Sequence, residues 1–395
     1  MDRRQYLQTL TVGGILGTAG CTTPLIDGGS GESPMTTHEG WPMPGYDAGN
    51  TAARATGPPL DDGVAVTWRE EFPPSMTTYP PVVHEGTVVV PRIVPDDSPG
   101  EYQSQYRIHA FTEDNGDERW TRTVDRAIES GVTAIDGRVY VGGSSGTPRL
   151  EAFDIADGSE LWSTSVATTP VAAPVVLEDT AYVPAGNQLV AVSTATGDVQ
   201  WQTDLDATVV PAQPAVRDGT VVVGCRDGRV RGVDAAGDGI RWRQEVTTGW
   251  VRVGPIAGNG IVVTGDSNRL VGIVDGERQW TFAPDRAFSR PAVGTDRVYV
   301  AVGSNAPTLQ AITADSGDRA WQASMPPGPG PLTLVGDLLL VGGPNQLHAL
   351  DATDGTVRWQ QTLSLGGLPG PVVVSSSGLY HQSTQGDLAA LEPTN

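Results

Sequence analysis

The stretch "PAVRDGTVVVGCRDGRVRGVDAAGDGIRW", Pro214 to Trp242, decides the fold. It holds three apolar runs of alternating or β-branched residues, each closed by Gly or Asp-Gly, and then a tryptophan. Such runs read as antiparallel strands, and Asp-Gly pairs supply the positive φ angles that two-residue hairpin turns require. The tryptophan marks a fourth strand. The same ending returns at "ADGSELW" (Ala156 to Trp162), "ATGDVQW" (Ala195 to Trp201), "ADSGDRAW" (Ala314 to Trp321) and "DATDGTVRW" (Asp351 to Trp359). Trp68, Trp120, Trp162, Trp201, Trp242, Trp280, Trp321 and Trp359 follow one another at intervals of 38 to 52 residues. A period near forty predicts repeated four-stranded units and not separate domains.

The two ends of the chain give the topology. "GPVVVSSSGLYHQSTQGDLAALEPTN" (Gly370 to Asn395) contains three strands and stops where the turn and tryptophan should follow. "GVAVTWREEF" (Gly63 to Phe72) is a fourth strand with its tryptophan and no first three. The N-terminal strand therefore completes the last unit. The expected fold is all-β: an eight-bladed propeller of four-stranded antiparallel blades, with strands A to D in each. Closing the ring leaves only short, protected strand edges.

"QLHALDATDGTVRW" (Gln346 to Trp359) resembles the tryptophan-docking repeat of the pyrroloquinoline-quinone (PQQ) quinoprotein family, and "WPMPGYDAGNTAARA" (Trp41 to Ala55) is similar to that family's lead-in. The resemblance covers residues 41–395 and implies that the eight repeat tryptophans are structural wedges between neighbouring blades. An indole suits that role, being a large rigid apolar plate with one N–H to anchor. The family's enzymes hold PQQ and calcium at the propeller centre, with adjacent cysteines over the cofactor. This chain has no adjacent cysteines and matches none of the calcium ligands. Neither PQQ nor calcium is expected, and no catalytic, cofactor or metal residue is assigned. The closer resemblance is to the shorter, non-catalytic, lipid-anchored assembly proteins of the BamB type. A PQQ-dependent dehydrogenase and a glycan or small-ligand module using the central funnel are the alternatives.

The opening "MDRRQYLQTLTVGGILGTAGC" resembles a twin-arginine lipoprotein signal over residues 1–20, carried by Arg3, Arg4, a weakly apolar run and Cys21. Thr18 departs from the aliphatic residue usual in the lipobox. Cys21 is the expected lipidation site. One acyl chain holds a membrane only weakly, so a diacylated cysteine is the expected form. Residues 21–40 read as a tether and 41–395 as the propeller. The expected location is the outer face of the cytoplasmic membrane.

The chain has a net charge of −21, and all 25 of its basic residues are arginine. This acidic, lysine-free composition resembles that of extreme halophiles. It also argues against nucleic acid as a partner, because no basic stripe can displace phosphate counterions. Once Cys21 carries lipid, Cys225 is the remaining thiol, and it reads as a small buried filler. His109 and His348 share one phase of strand C in blades too far apart to share a metal. "EDNGDE" (Glu113 to Glu118) fills a C–D turn.

Strand parity places the A–B and C–D turns at one end of the ring and the B–C and D–A connections at the other. The first end has tight turns. The second carries the insertion "PRIVPDDSPGEYQSQYR" (Pro91 to Arg107) and the D–A loops "TRTVDRAIESG", "RQEVTTGWVRVG" and "TFAPDRAFSR". Those loops hold Arg122, Arg126, Arg243, Arg252, Arg286 and Arg290 against Asp125, Glu129, Glu245 and Asp285, a local reversal of the overall charge. Trp250 lies among them, outside the repeat phase, and Phe288 is the other loop aromatic. The expected interaction face is Arg126, Glu129, Trp250, Arg252, Arg286 and Arg290, docking an acidic protein on a monomeric propeller, with Arg229 on the opposite, tight-turn face.

Overall fold

The computed structural model describes residues 39–72, 79–95, 104–124, 128–143, 148–166, 172–284, 290–303, 307–325, 330–343, 345–363, 370–383 and 387–394. They form eight sheets, each built on a four-stranded antiparallel blade, and the seventh gains a fifth strand, Ala53–Arg54, that runs parallel to Leu332–Val335. The opening stretch of sequence becomes the fourth blade: Ala215–Arg217, Thr220–Gly224, Arg229–Asp234 and Ile240–Glu245. The last blade takes three strands from the C-terminus and one from the N-terminus. Val64–Glu71 runs antiparallel to Asp387–Pro393, with Val64 opposite Pro393 and Glu71 opposite Asp387. The eight-bladed propeller and its closure are borne out.

All eight C–D ladders share one irregularity. Immediately before each repeat tryptophan the register slips, so that Arg119, Gln200, Arg241 and their equivalents have no partner on strand C. A bulge of this kind re-aims the next side chain. Opposite the tryptophan stands alanine or glycine in every blade, from Ala110 and Ala152 to Ala390, which leaves room for the indole to tilt.

The tilted ring lies on the C–D turn of the next blade. There a left-handed glycine has no Cβ to obstruct it: a Cβ on Gly158 would meet Trp120 at 2.8 Å, and one on Gly237 would meet Trp201 at 2.7 Å. Trp120 Nε1 then donates to Ile155 O at 2.8 Å and Trp162 Nε1 to Thr194 O at 3.0 Å. Trp68, Trp280, Trp321 and Trp359 reach the equivalent carbonyls of Glu113, Ala314, Ala352 and Leu60. Leu60 is the instructive case. The eighth blade has no covalent C–D turn, and the segment leading into Val64–Glu71 supplies the missing acceptor.

The lead-in crosses the hub. The amides of Val83, Ala134, Val216, Ala257, Val293 and Leu334 donate to the carbonyls of Trp41, Pro42, Ala48, Gly49, Thr51 and Ala52, at 2.6–2.9 Å. These donors occupy one structural position, two residues before the A–B turn, in six different blades. Strand A has no neighbour of its own blade on the inner side, so its inward amides would otherwise face the channel unpaired; in the seventh blade Ala53–Arg54 of the lead-in takes that place as a parallel strand. Tyr46, Asn50 and Ala52 adopt positive φ to keep the lead-in in phase with them, a strain that only an over-determined setting maintains. The hub is thereby filled at the tight-turn end.

Two local expectations are corrected. The Pro91–Arg107 insertion does not lie wholly outside the sheet: it lengthens the B–C hairpin, with strands Thr87–Pro95 and Ser104–Thr112 paired out to Pro95 opposite Ser104. Glu129, read as a loop residue, falls inside the inner strand Ile128–Ile135.

Candidate functional site

At the hub, the Asp47 carboxylate accepts from Thr51 N at 2.9 Å and from Thr51 Oγ1 at 2.8 Å. Burial pushes its pKa up to about 6, against the opposing pull of Thr51 and of the Arg290 charge. Asn50 Nδ2 donates to the carbonyls of Gln213 (3.2 Å) and Pro214 (2.8 Å). Arg290 Nη2 donates to Asn50 O at 3.1 Å, and burial pulls its guanidinium down to about 10. Arg290 therefore does not belong to the exposed interaction face. It stands two residues before the inner strand Ala292–Val293 and turns into the hub, where a free carbonyl and the Asp47 charge receive it.

Asp47 is engaged by Thr51, and among the described residues no group of three or more His, Cys, Asp or Glu is arranged to hold a metal ion.

At the loop end, the fourth blade builds a platform from two connections. The D–A loop after Ile240–Glu245 lies on the B–C turn after Thr220–Gly224. Val246 N and Thr247 N both donate to Gly228 O, at 2.9 and 3.2 Å, and Val251 N donates to Cys225 O. Arg252 N donates across to Gly265 O in the fifth blade at 2.9 Å. The fit demands glycine at position 228, where φ is +79° and a Cβ would stand 2.0 Å from Thr247 O. On this stitched backbone Trp250 is 52% exposed. The Arg226 guanidinium sits 4.7 Å from the centre of its ring.

Arg252, two residues after Trp250, is exposed. Arg226 was missed from the sequence, where it looks like one more residue of a tight "CRDGR" turn. The signal for it was that this turn belongs to the blade whose D–A loop carries the out-of-phase tryptophan.

Two of the six loop arginines are held in ion pairs. Arg122 pairs with Glu160 at 3.1 Å and Arg243 with Asp206 at 2.9 Å. Arg229 begins strand C and pairs with Glu245 and Asp227, so it sits at the loop end and not on the tight-turn face. Parity fixes this: strand C starts where the B–C turn ends. Arg126, Arg286 and Phe288 lie outside the described residues, as do Arg3, Arg4 and Cys21, and nothing is described of the Glu129 side chain.

The remaining singled-out residues lie in the strands and turns of the blades. His109 Nδ1 lies 2.9 Å from Glu118 Oε1 and 3.0 Å from Thr121 Oγ1, and burial holds its pKa below the usual histidine value, as it does for His348. Each precedes the small residue opposite its blade's tryptophan, the shared phase expected of them. Cys225 is fully buried and its thiol is pushed up to about 11, which suits a filler and not a nucleophile. "EDNGDE" forms the expected turn, and its Glu113 accepts from Tyr380 OH at 3.1 Å across the closing joint.

Comparison with known proteins agrees with this architecture. The family model for outer membrane protein assembly factor BamB matches residues 104–249 and 226–395. The BamB of Yersinia pestis is 26% identical over 284 residues, which is 67% of this chain and 71% of that protein. The BamB of Moranella endobia is 25% identical over 297 residues, 69% of each. Among solved structures, BamB from Moraxella catarrhalis superposes with a TM-score of 0.63 at 16% identity, over 83% of this chain and 99% of that one. A quinohemoprotein alcohol dehydrogenase from Comamonas testosteroni superposes with a TM-score of 0.68 at 13% identity, over 90% of this chain and 81% of that one. At such identities the structural likenesses establish the fold alone.

Proposed function

The chain belongs to the family of the outer membrane protein assembly factor BamB, a branch of the PQQ-repeat β-propellers, and from that premise we propose that it is an exported, lipid-anchored, non-enzymatic scaffold that holds a protein partner on its loop end. The family match over residues 104–395 carries the reading. The chemistry of the chain supports it. Three ionisable groups of the interior are occupied in holding the ring: Asp47 by Thr51, Arg290 by Asn50, His109 by Glu118. The one described cysteine is buried and hard to ionise.

Export rests on Arg3 and Arg4, and anchoring on Cys21. Replacing both arginines by lysine is expected to leave precursor inside the cell, and Cys21→Ser to release the mature chain from the membrane fraction. The scaffold itself is tested by capturing membrane complexes with the tagged chain and by assaying dye-linked oxidation of alcohols and sugars after addition of PQQ and calcium. A reproducible protein partner with no turnover is the expected result. Turnover that requires both additions would overturn the reading in favour of a dehydrogenase.

A further inference from the structure

We propose that Trp250, Arg226 and Arg252 form a preformed clamp for an acidic segment of a partner protein that carries an apolar anchor residue. The inference rests on the scaffold reading and assigns it a site and a ligand chemistry. Three independent features of the fourth blade lead to it.

The first is exposure without freedom. Trp250 presents 52% of its surface to solvent. Its loop is nevertheless tied down by the amides of Val246, Thr247, Val251 and Arg252, bonded to carbonyls of Gly228, Cys225 and Gly265. An exposed indole on a backbone already fixed loses little entropy on binding, which is the condition for an interface hot spot. The second is the stacked guanidinium. Arg226 over the ring face restrains the indole.

The third is charge. In a chain of net charge −21, the neighbouring carboxylates are already engaged. Asp227 binds Arg231 at 2.7 Å, Glu245 binds Arg229 at 3.2 Å and Asp206 binds Arg243 at 2.9 Å. Arg226 lies over the indole and the exposed Arg252 follows it by two residues in the same loop, and neither appears in these ion pairs. Two cations beside one flat apolar plate complement carboxylates flanking an apolar side chain. Basic partners would find no such complement here.

The test uses the full mature chain and two ten-residue peptides, one alternating aspartate with leucine and one alternating lysine with leucine, each titrated by calorimetry at low and high salt. The acidic peptide should bind and the basic one should not. Trp250→Ala should weaken binding at least tenfold, and Arg226→Ala and Arg252→Ala several-fold each, with the salt dependence falling in the arginine variants. Gly228→Ala, which keeps every clamp side chain but forces the loop off its turn, should weaken binding as well. Equal binding of the two peptides, or affinity unmoved by Trp250→Ala, overturns the clamp.

Trp250-dependent co-sedimentation with phosphatidylglycerol vesicles, in the absence of peptide binding, would also overturn it and assign the site to a membrane surface. A captured partner that survives Trp250→Ala removes the clamp and leaves the scaffold standing. Peptide binding with no partner captured by the wild-type chain removes the scaffold and leaves the clamp.

Discussion

The two ends of the ring are built on opposite rules. At the tight-turn end the same parts recur in nearly every blade: a bulge, a tilted indole, a left-handed glycine beneath it, and an inner amide that bonds the lead-in. At the loop end the connections differ in length and sequence, and one of them presents an exposed indole under an arginine. Repetition spreads stability over many equivalent joints, so that no single one carries the fold. Recognition is expected where the repetition lapses, because there the side chains are released from packing.

Substitutions at the two ends should therefore separate stability from binding. The largest loss should come from a docked indole: Trp201→Ala is expected to cost roughly 3–5 kcal/mol in urea unfolding, since it removes a large side chain from a close-packed joint. A loss as small as that of an exposed residue would break the comparison. Next comes a gain. Asp47 titrates near 6 in the folded chain, above its ordinary value of 3.8, so folding favours its protonated form. Its contribution is full below pH 3.8 and is lost as pH rises through 6. Asp47→Asn should then stabilise the protein at pH 8 by up to about 3 kcal/mol and by almost nothing near pH 4, read from melting curves across that range.

Asn50→Ala leaves the Gln213 and Pro214 carbonyls without their side-chain donor and should cost about 2 kcal/mol. Binding at the loop end should not change with it. Smallest is Trp250→Ala, expected to alter stability by no more than about 0.5 kcal/mol while weakening peptide binding at least tenfold. A stability loss like that of Trp201→Ala would mean that the loop tryptophan also belongs to the packing.

Blade number, strand order and the closing strand were readable from the sequence because each is signalled by something that repeats or by a repeat that breaks off. Trp68 without three strands before it and Gly370–Asn395 without a fourth after it are such signals. The lead-in was recognised at Trp41–Ala55, but its work was not, since its bonds are made by backbone carbonyls and leave no pattern in side chains. Arginine was the least readable residue. Arg290 turns inward, Arg122 and Arg243 are paired and Arg226 stacks, and a long flexible side chain does not announce in sequence which of these it will do.

The lead-in also gives the ring a way of counting. Its carbonyls meet blades one, two, four, five, six and seven in strict order, within the dozen residues from Trp41 to Ala52. Tandem duplication readily adds or removes a forty-residue unit from a gene of this kind, and the repeats themselves would accept a newcomer. The lead-in would not, because a ninth blade widens the hub and shifts every later amide past its partner. A short segment that is not repeated thus holds the copy number of the part that is. Gain of a blade would have to be accompanied by a change in these residues, so covariation between lead-in length and blade number is expected among its relatives.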